Sequence, residues 1–149
     1  MYKTILVPLD GSKRAEAILP HVEQLALRYE GKVVFLQIVE PPPLMVVPAQ
    51  PDMALHQQEL ERRTGQAESY LKAIQGEFRE IGIEARTELG QGPVVEAIID
   101  VAARHNADLI ALASHGRSGL TQVFYGSVAA GVLQRVDRPL LLVRSQIGE

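Results

Sequence analysis

Ile83-Glu84-Ala85-Arg86-Thr87-Glu88-Leu89 alternates apolar and polar side chains without a break. Strict alternation marks a strand with one wet face. Such a strand sits best at the rim of a sheet. Four other short runs read differently: residues 4–9 (TILVPL), 32–39 (KVVFLQIV), 108–113 (DLIALA) and 139–144 (PLLLVR). They are rich in Val, Ile and Leu, too short for core helices, and do not alternate. They therefore predict strands covered on both faces, as in a parallel sheet.

Helical periodicity fills the gaps. Ala15, Ile18, Leu19, Val22, Leu25, Ala26 and Tyr29 recur at 3.6-residue spacing, with Ser12 as N-cap. Pro20 should kink this helix or move its start. A second helix is expected over much of residues 53–81, with Ala67, Tyr70, Leu71, Ile74 and Phe78 inward. Its polar beginning, HQQELERR, should project into solvent, with Glu59, Glu61, Arg62 and Arg63 as a solvated face. A third is expected over 93–105, with Pro93 in the first turn. A fourth is expected over 127–136, with Val128, Ala129, Val132 and Leu133 inward.

The resulting order, β-α-β-α-β-α-β-α-β, predicts a three-layer α/β/α sandwich around a five-stranded parallel sheet. Strand orders 2-1-3-4-5 and 3-2-1-4-5 both suit this pattern. The alternating third strand selects 3-2-1-4-5, which places it at an edge. The fifth strand then forms the other edge. Leu140-Leu141-Leu142-Val143 carries no charge, and an apolar edge invites pairing with another chain. That predicts a homodimer through these strands, unless the tail at 145–149 covers the edge. A proline-rich stretch, residues 41–51, holds five of the nine prolines. It reads as a stiff connector or as a flap over a ligand.

The chain of 149 residues fits a single domain, 1–149. Fifteen basic against eighteen acidic residues give a net charge of −3, which argues against binding nucleic acid or an anionic membrane. Cysteine is absent, so disulfides, thiolate metal sites and cysteine nucleophiles are excluded. Hydrophobic residues make up 46% against 22% charged, which excludes disorder. No apolar run is long enough to span a bilayer. A cytoplasmic protein is expected.

In open α/β sheets ligands bind beyond the carboxyl ends of the strands, where the strand order reverses. Here that point falls between the first and fourth strands. Their ends are Pro8-Leu9-Asp10-Gly11-Ser12 and Ala113-Ser114-His115-Gly116-Arg117-Ser118-Gly119, the two most polar, glycine-bearing strand ends of the chain. Downstream, Gly126-Ser127-Val128 opens a helix whose N-terminus favours an anion. Arg117 adds positive charge. Together these suit a ligand that carries phosphate. No Walker-type P-loop spacing is present. Gly90-Gln91-Gly92 begins like a dinucleotide fingerprint but lacks its third glycine, and reads as a turn into a helix. Gly116-Arg117-Ser118-Gly119 is one residue short of a nucleophile elbow. His21, His56, His105 and His115 lack metal-ligand spacing, and only His115 falls at the expected site.

At these residues the chain resembles the universal stress proteins, whose nucleotide motif is G-x2-G-x9-G-S/T. Gly116 and Gly126-Ser127 match its last two elements, while Ala113 stands at the first glycine. TILVPLDGS, with Asp10, resembles the family's opening strand and acidic turn. The resemblance implies an adenine-nucleotide alpha-hydrolase-like fold and a regulatory, stress-response homodimer that binds ATP or another adenine nucleotide. It further implies that Pro8, Leu9 and Asp10 meet the nucleoside, and that Ile38 or Val39 bonds adenine through the backbone. Ala113 would face the ribose. His115, Gly116, Arg117 and Gly119 would belong to the phosphate loop, and Gly126, Ser127 and Val128 would hold phosphates. Mg2+ would ride on the phosphates rather than in a protein cage. No general base is evident, so binding rather than catalysis is expected. A slow ATP hydrolase and a dimeric scaffold without nucleotide are the alternatives.

Overall fold

A computed structural model describes residues 1–42, 53–115 and 126–145. Five strands, β1 (Thr4–Leu9), β2 (Lys32–Ile38), β3 (Ala85–Gly90), β4 (Leu109–His115) and β5 (Leu140–Ser145), form one parallel sheet of order β3-β2-β1-β4-β5. The alternating strand lies at one edge and the apolar Leu140 strand at the other, as expected. Four helices, α1 (Leu19–Tyr29), α2 (Met53–Glu80), α3 (Val94–Arg104) and α4 (Ser127–Arg135), cover the sheet.

The strand period of two sorts the core into two layers. Ile5, Val7 and Leu9 face Val22 and Ala26 of α1 and Leu71, Ile74 and Phe78 of α2. Leu6, Val34, Leu36 and Ile110 face Ile98 and Val101 of α3 and Ala129 and Val132 of α4. In the first layer Phe35 meets Phe78 edge to face, with ring centroids 4.9 Å apart. Such a pair adds about 0.5–1.5 kcal/mol beyond its burial. In the second layer α3 and α4 cross so closely that a Cβ on Gly131 would lie 2.7 Å from Val95 Cγ2.

Two charged side chains fasten the strand beginnings. Asp108 accepts hydrogen bonds from the amides of Lys3 and Thr4 at 2.8 and 3.1 Å. Arg138 donates through Nη1 to the carbonyls of Ala102 and Ala107 at 3.1 and 2.8 Å. The Ala102 contact ties the entry of β5 to the last turn of α3, where helical carbonyls lack intrahelical donors.

Several local expectations change. Pro20 moves the start of the first helix: a 3-10 turn (Ala15–Ile18) comes first, and α1 begins at Leu19 with the proline in its opening turn. There the missing proline N–H has no partner to lose. Ser12 is therefore not the N-cap: Arg14 precedes the 3-10 turn and Ile18 precedes α1, while Ser12 Oγ accepts from the Ala15 amide at 3.1 Å. Pro93 is the N-cap of α3, in extended geometry, rather than part of its first turn. Leu133 does not point inward: it is 51% exposed, because the buried stripe of α4 runs through Ala129 and Val132 and leaves Leu133 on its flank. Of the proline-rich segment only Pro41 and Pro42 lie among the described residues. Among the described residues no helix is long and apolar enough to cross a membrane.

Candidate functional site

The sheet opens where its order reverses. β1 and β2 stay in register from Thr4–Lys32 to Leu9–Gln37, but β1 and β4 pair only at Ile5–Leu109 and Leu6–Ile110. Beyond those pairs lies a cavity of about 710 Å³. Pro8, Leu9 and Asp10 reach it from β1, Ile38 and Val39 from β2, and Ala113 from β4; Gly126, Ser127 and Val128 reach it from the start of α4. Nine residues expected at the site are thus brought together. His115 ends β4 opposite Ser145. Gly116, Arg117 and Gly119 lie outside the described residues.

At the β1 end the chain turns sharply. Asp10 Oδ1 accepts from both the amide and the hydroxyl of Ser12, at 2.9 and 2.6 Å. This Asx-type turn leaves Asp10 Oδ2 without a hydrogen bond from any described residue. Ser12 Oγ, by donating to Asp10 while accepting from Ala15, couples the carboxylate to the turn that leads into α1.

At the β2 end the backbone is partly committed. The Val39 N–H donates to the Gly90 carbonyl at 2.9 Å. A base lying there cannot use this amide. Gly90 supports this wall from behind, where a Cβ would come within 2.6 Å of Ile38 Cδ1. The glycine turn after β3 does not itself line the cavity, although Val94 of the helix that follows does.

The opposite wall is the start of α4. Gly126 has φ 76° and ψ 155°, a conformation that is essentially glycine-only. Its carbonyl accepts from the Ala130 amide at 3.0 Å, closing the first helical turn. No side chain caps the helix. Its first amides therefore have no intrahelical acceptor, and they carry the positive end of the helix dipole. Gly126, Ser127, Val128 and Ala129 all border the cavity, so this polarity faces the ligand space.

Helix α2 contributes residues that the sequence did not assign to the site. Arg63, Gln66, Ala67 and Tyr70 border the cavity, as does Arg14 beside the β1 turn. Arg63 was expected on a solvated face. Instead its Nε donates to Glu59 at 3.0 Å while Nη1 donates to the Glu40 carbonyl at 3.1 Å, which pins it at the cavity mouth. Hydrogen bonds from Arg62 and then Arg63 hold the Glu59 carboxyl down at about 2. Tyr70 donates to Glu16 at 3.0 Å. Burial, followed by that hydrogen bond, pushes its phenol well above the ordinary value, so it stays protonated and acts as a donor. Gln37 is a further unassigned wall residue. Its signal was present in the sequence, as the only polar side chain between Val33 and Val39.

Chemically, the cavity combines an anion-seeking helix end with an acceptor-rich strand end. Among the described residues no three His, Asp or Glu side chains cluster to hold a metal ion. A cation there would need ligand oxygens.

Comparison with known proteins agrees with this architecture. The chain is 32% identical to the universal stress protein Sll1654 of Synechocystis over 143 residues, covering 96% of this chain and 86% of the relative. It is 26% identical to the solved structure of MJ0577, a universal stress protein of Methanocaldococcus jannaschii, with a TM-score of 0.84 over 99% of both chains. A universal stress protein from Archaeoglobus fulgidus, solved in complex with dAMP, shares the fold at 19% identity and a TM-score of 0.61, over 95% of this chain and 98% of that one. The model of the universal stress protein family matches residues 1–144, and the chain belongs to that family.

Proposed function

We propose that this protein binds an adenine nucleotide, ATP with Mg2+, and acts as a cytoplasmic regulatory homodimer of the stress response. The observation that carries the reading is the single cavity that joins the uncapped start of α4 to the ends of β1 and β2. In this arrangement Gly126, Ser127 and Val128 receive phosphates through backbone N–H groups and the Ser127 hydroxyl. Arg117, with Gly116, Gly119 and His115, completes the phosphate loop. Ala113 lies against the sugar, Pro8, Leu9 and Asp10 against the nucleoside, and Ile38 and Val39 against the base. Mg2+ is held by phosphate oxygens and water. Family members solved in complex with dAMP and with cAMP support adenine as the base.

The dimer reading rests on β5. Leu140, Leu141, Leu142 and Val143 are only half-buried in the single chain, although they form a sheet edge. A second copy pairing there covers both the apolar side chains and the open backbone.

Calorimetry with ATP and Mg2+ tests the nucleotide. A saturable signal is expected, together with adenine nucleotide retained through purification. No heat and no thermal stabilisation at millimolar ATP refutes the reading.

A further inference from the structure

Gln37 interrupts an otherwise apolar strand, and its position explains why. It shares a face with Phe35, two residues earlier, and therefore looks toward the α1 and α2 layer. Across the sheet it is level with Leu9 of β1 and Leu89 of β3, both packed into that layer. Its Oε1 is buried without a hydrogen-bond partner among the described residues. A buried acceptor without a donor is destabilising, and leucine or methionine would fill the same space between two leucines at no such cost. The same side chain borders the cavity. Two residues along, the Val39 amide is taken by the Gly90 carbonyl. The end of β2 thus offers the ligand the unpartnered Gln37 oxygen.

We propose that Gln37 selects the nucleobase, its buried Oε1 accepting a hydrogen bond from the exocyclic amino group of adenine. This rests on the nucleotide reading above and adds to it a side-chain reader of the base. A 6-oxo purine such as hypoxanthine sets an oxygen opposite this oxygen, and the Gln37 amide must leave its resting orientation to meet it with Nε2. A site built to bond one group discriminates through the unpaired polar atom that the wrong base leaves behind.

The test compares ATP with inosine triphosphate, both with Mg2+, by calorimetry on the native chain and on Gln37→Leu and Gln37→Met. The native chain should prefer ATP. Each variant should bind ATP about tenfold more weakly while its affinity for inosine triphosphate stays within about twofold. The nucleotide-free variants should unfold at no lower temperature than the native chain, because the unpaired acceptor has gone. If ATP binds but the ratio of the two affinities is the same in native chain and variants, the assignment of Gln37 falls alone. If the native chain binds neither nucleotide, the site reading beneath it falls too.

Discussion

Gly126→Ala tests the proposed phosphate cradle apart from the rest of the fold. At φ 76° and ψ 155°, Gly126 occupies a region that costs any other residue about 1–3 kcal/mol. The alanine chain has two responses. It can keep the conformation and unfold earlier, by about 2–12 °C if each kcal/mol moves the midpoint of a domain this size by about 2–4 °C. Or it can rotate φ, which leaves α4 in place because the Gly126 carbonyl is tied to Ala130, and instead swings the preceding peptide. The Gly126 N–H then turns away from the cavity. One hydrogen bond to a charged phosphate is worth about 1.5–3 kcal/mol, so ATP affinity should fall by about tenfold to a hundredfold. Local rotation is expected, because it leaves the buried Ala129 and Val132 of α4 in place. Gly92→Ala is the control: Gly92 also has positive φ, 96°, has open space around its missing Cβ, and does not border the cavity. It should lose stability and keep its affinity. Calorimetry with Mg2+ and ATP, beside thermal unfolding of both variants, provides the comparison. If Gly126→Ala binds ATP like the native chain, the start of α4 is not the phosphate cradle.

Three further outcomes are expected. Leu141→Lys places a charge on the β5 edge and should give a monomer by light scattering at micromolar concentration, where the native chain is expected to be a dimer; a native chain already monomeric there defeats the edge-pairing reading. Ala113→Gly should tighten ATP binding several-fold by removing a methyl group from the cavity wall, at a cost in stability of about 0.5–1 kcal/mol for glycine in a strand; unchanged affinity in calorimetry rules out crowding at that position. Burial raises the Glu88 carboxyl, but hydrogen bonds from His105 and Arg104 outweigh it and hold the group below its ordinary value of 4.5. Its stabilising effect is therefore complete above pH 4.5 and is lost as pH falls through the lower folded value. Glu88→Gln should lower the midpoint of thermal unfolding at pH 7 and converge with the native chain in acid; an equal difference at both pH values would contradict this.

The strand order was readable because the run from Ile83 to Leu89 carries its own exposure pattern, and an edge strand is the place where such a pattern is stable. Pro8, Asp10, Ala113 and Ser127 were readable as neighbours around one cavity because strand ends and a helix start converge wherever parallel order reverses. Arg63, Gln66 and Tyr70 were not, since their arrival at the cavity depends on where α2 crosses the sheet, and local periodicity does not encode that crossing. Arg63 in particular looks like any arginine on a charged face until the Glu40 carbonyl is seen to hold it. Leu133 failed for a similar reason: a residue on the flank of an apolar stripe is buried only if a neighbour reaches that flank. Gln37 could have been found, because a lone amide in a buried strand is a break in pattern that asks for a partner.

The short ladder between β1 and β4 makes the sheet two unequal rafts. One raft is β3-β2-β1 and the other is β4-β5, moored together chiefly near Ile5–Leu109 and Leu6–Ile110. The gap beyond that mooring is walled on one side of the sheet by Tyr70 and Ala67 and on the other by Ile98 and Ala129. An occupant of the gap is therefore a wedge touching both rafts and both helical layers at once. Only β4 separates that occupant from β5, the outer strand of the smaller raft.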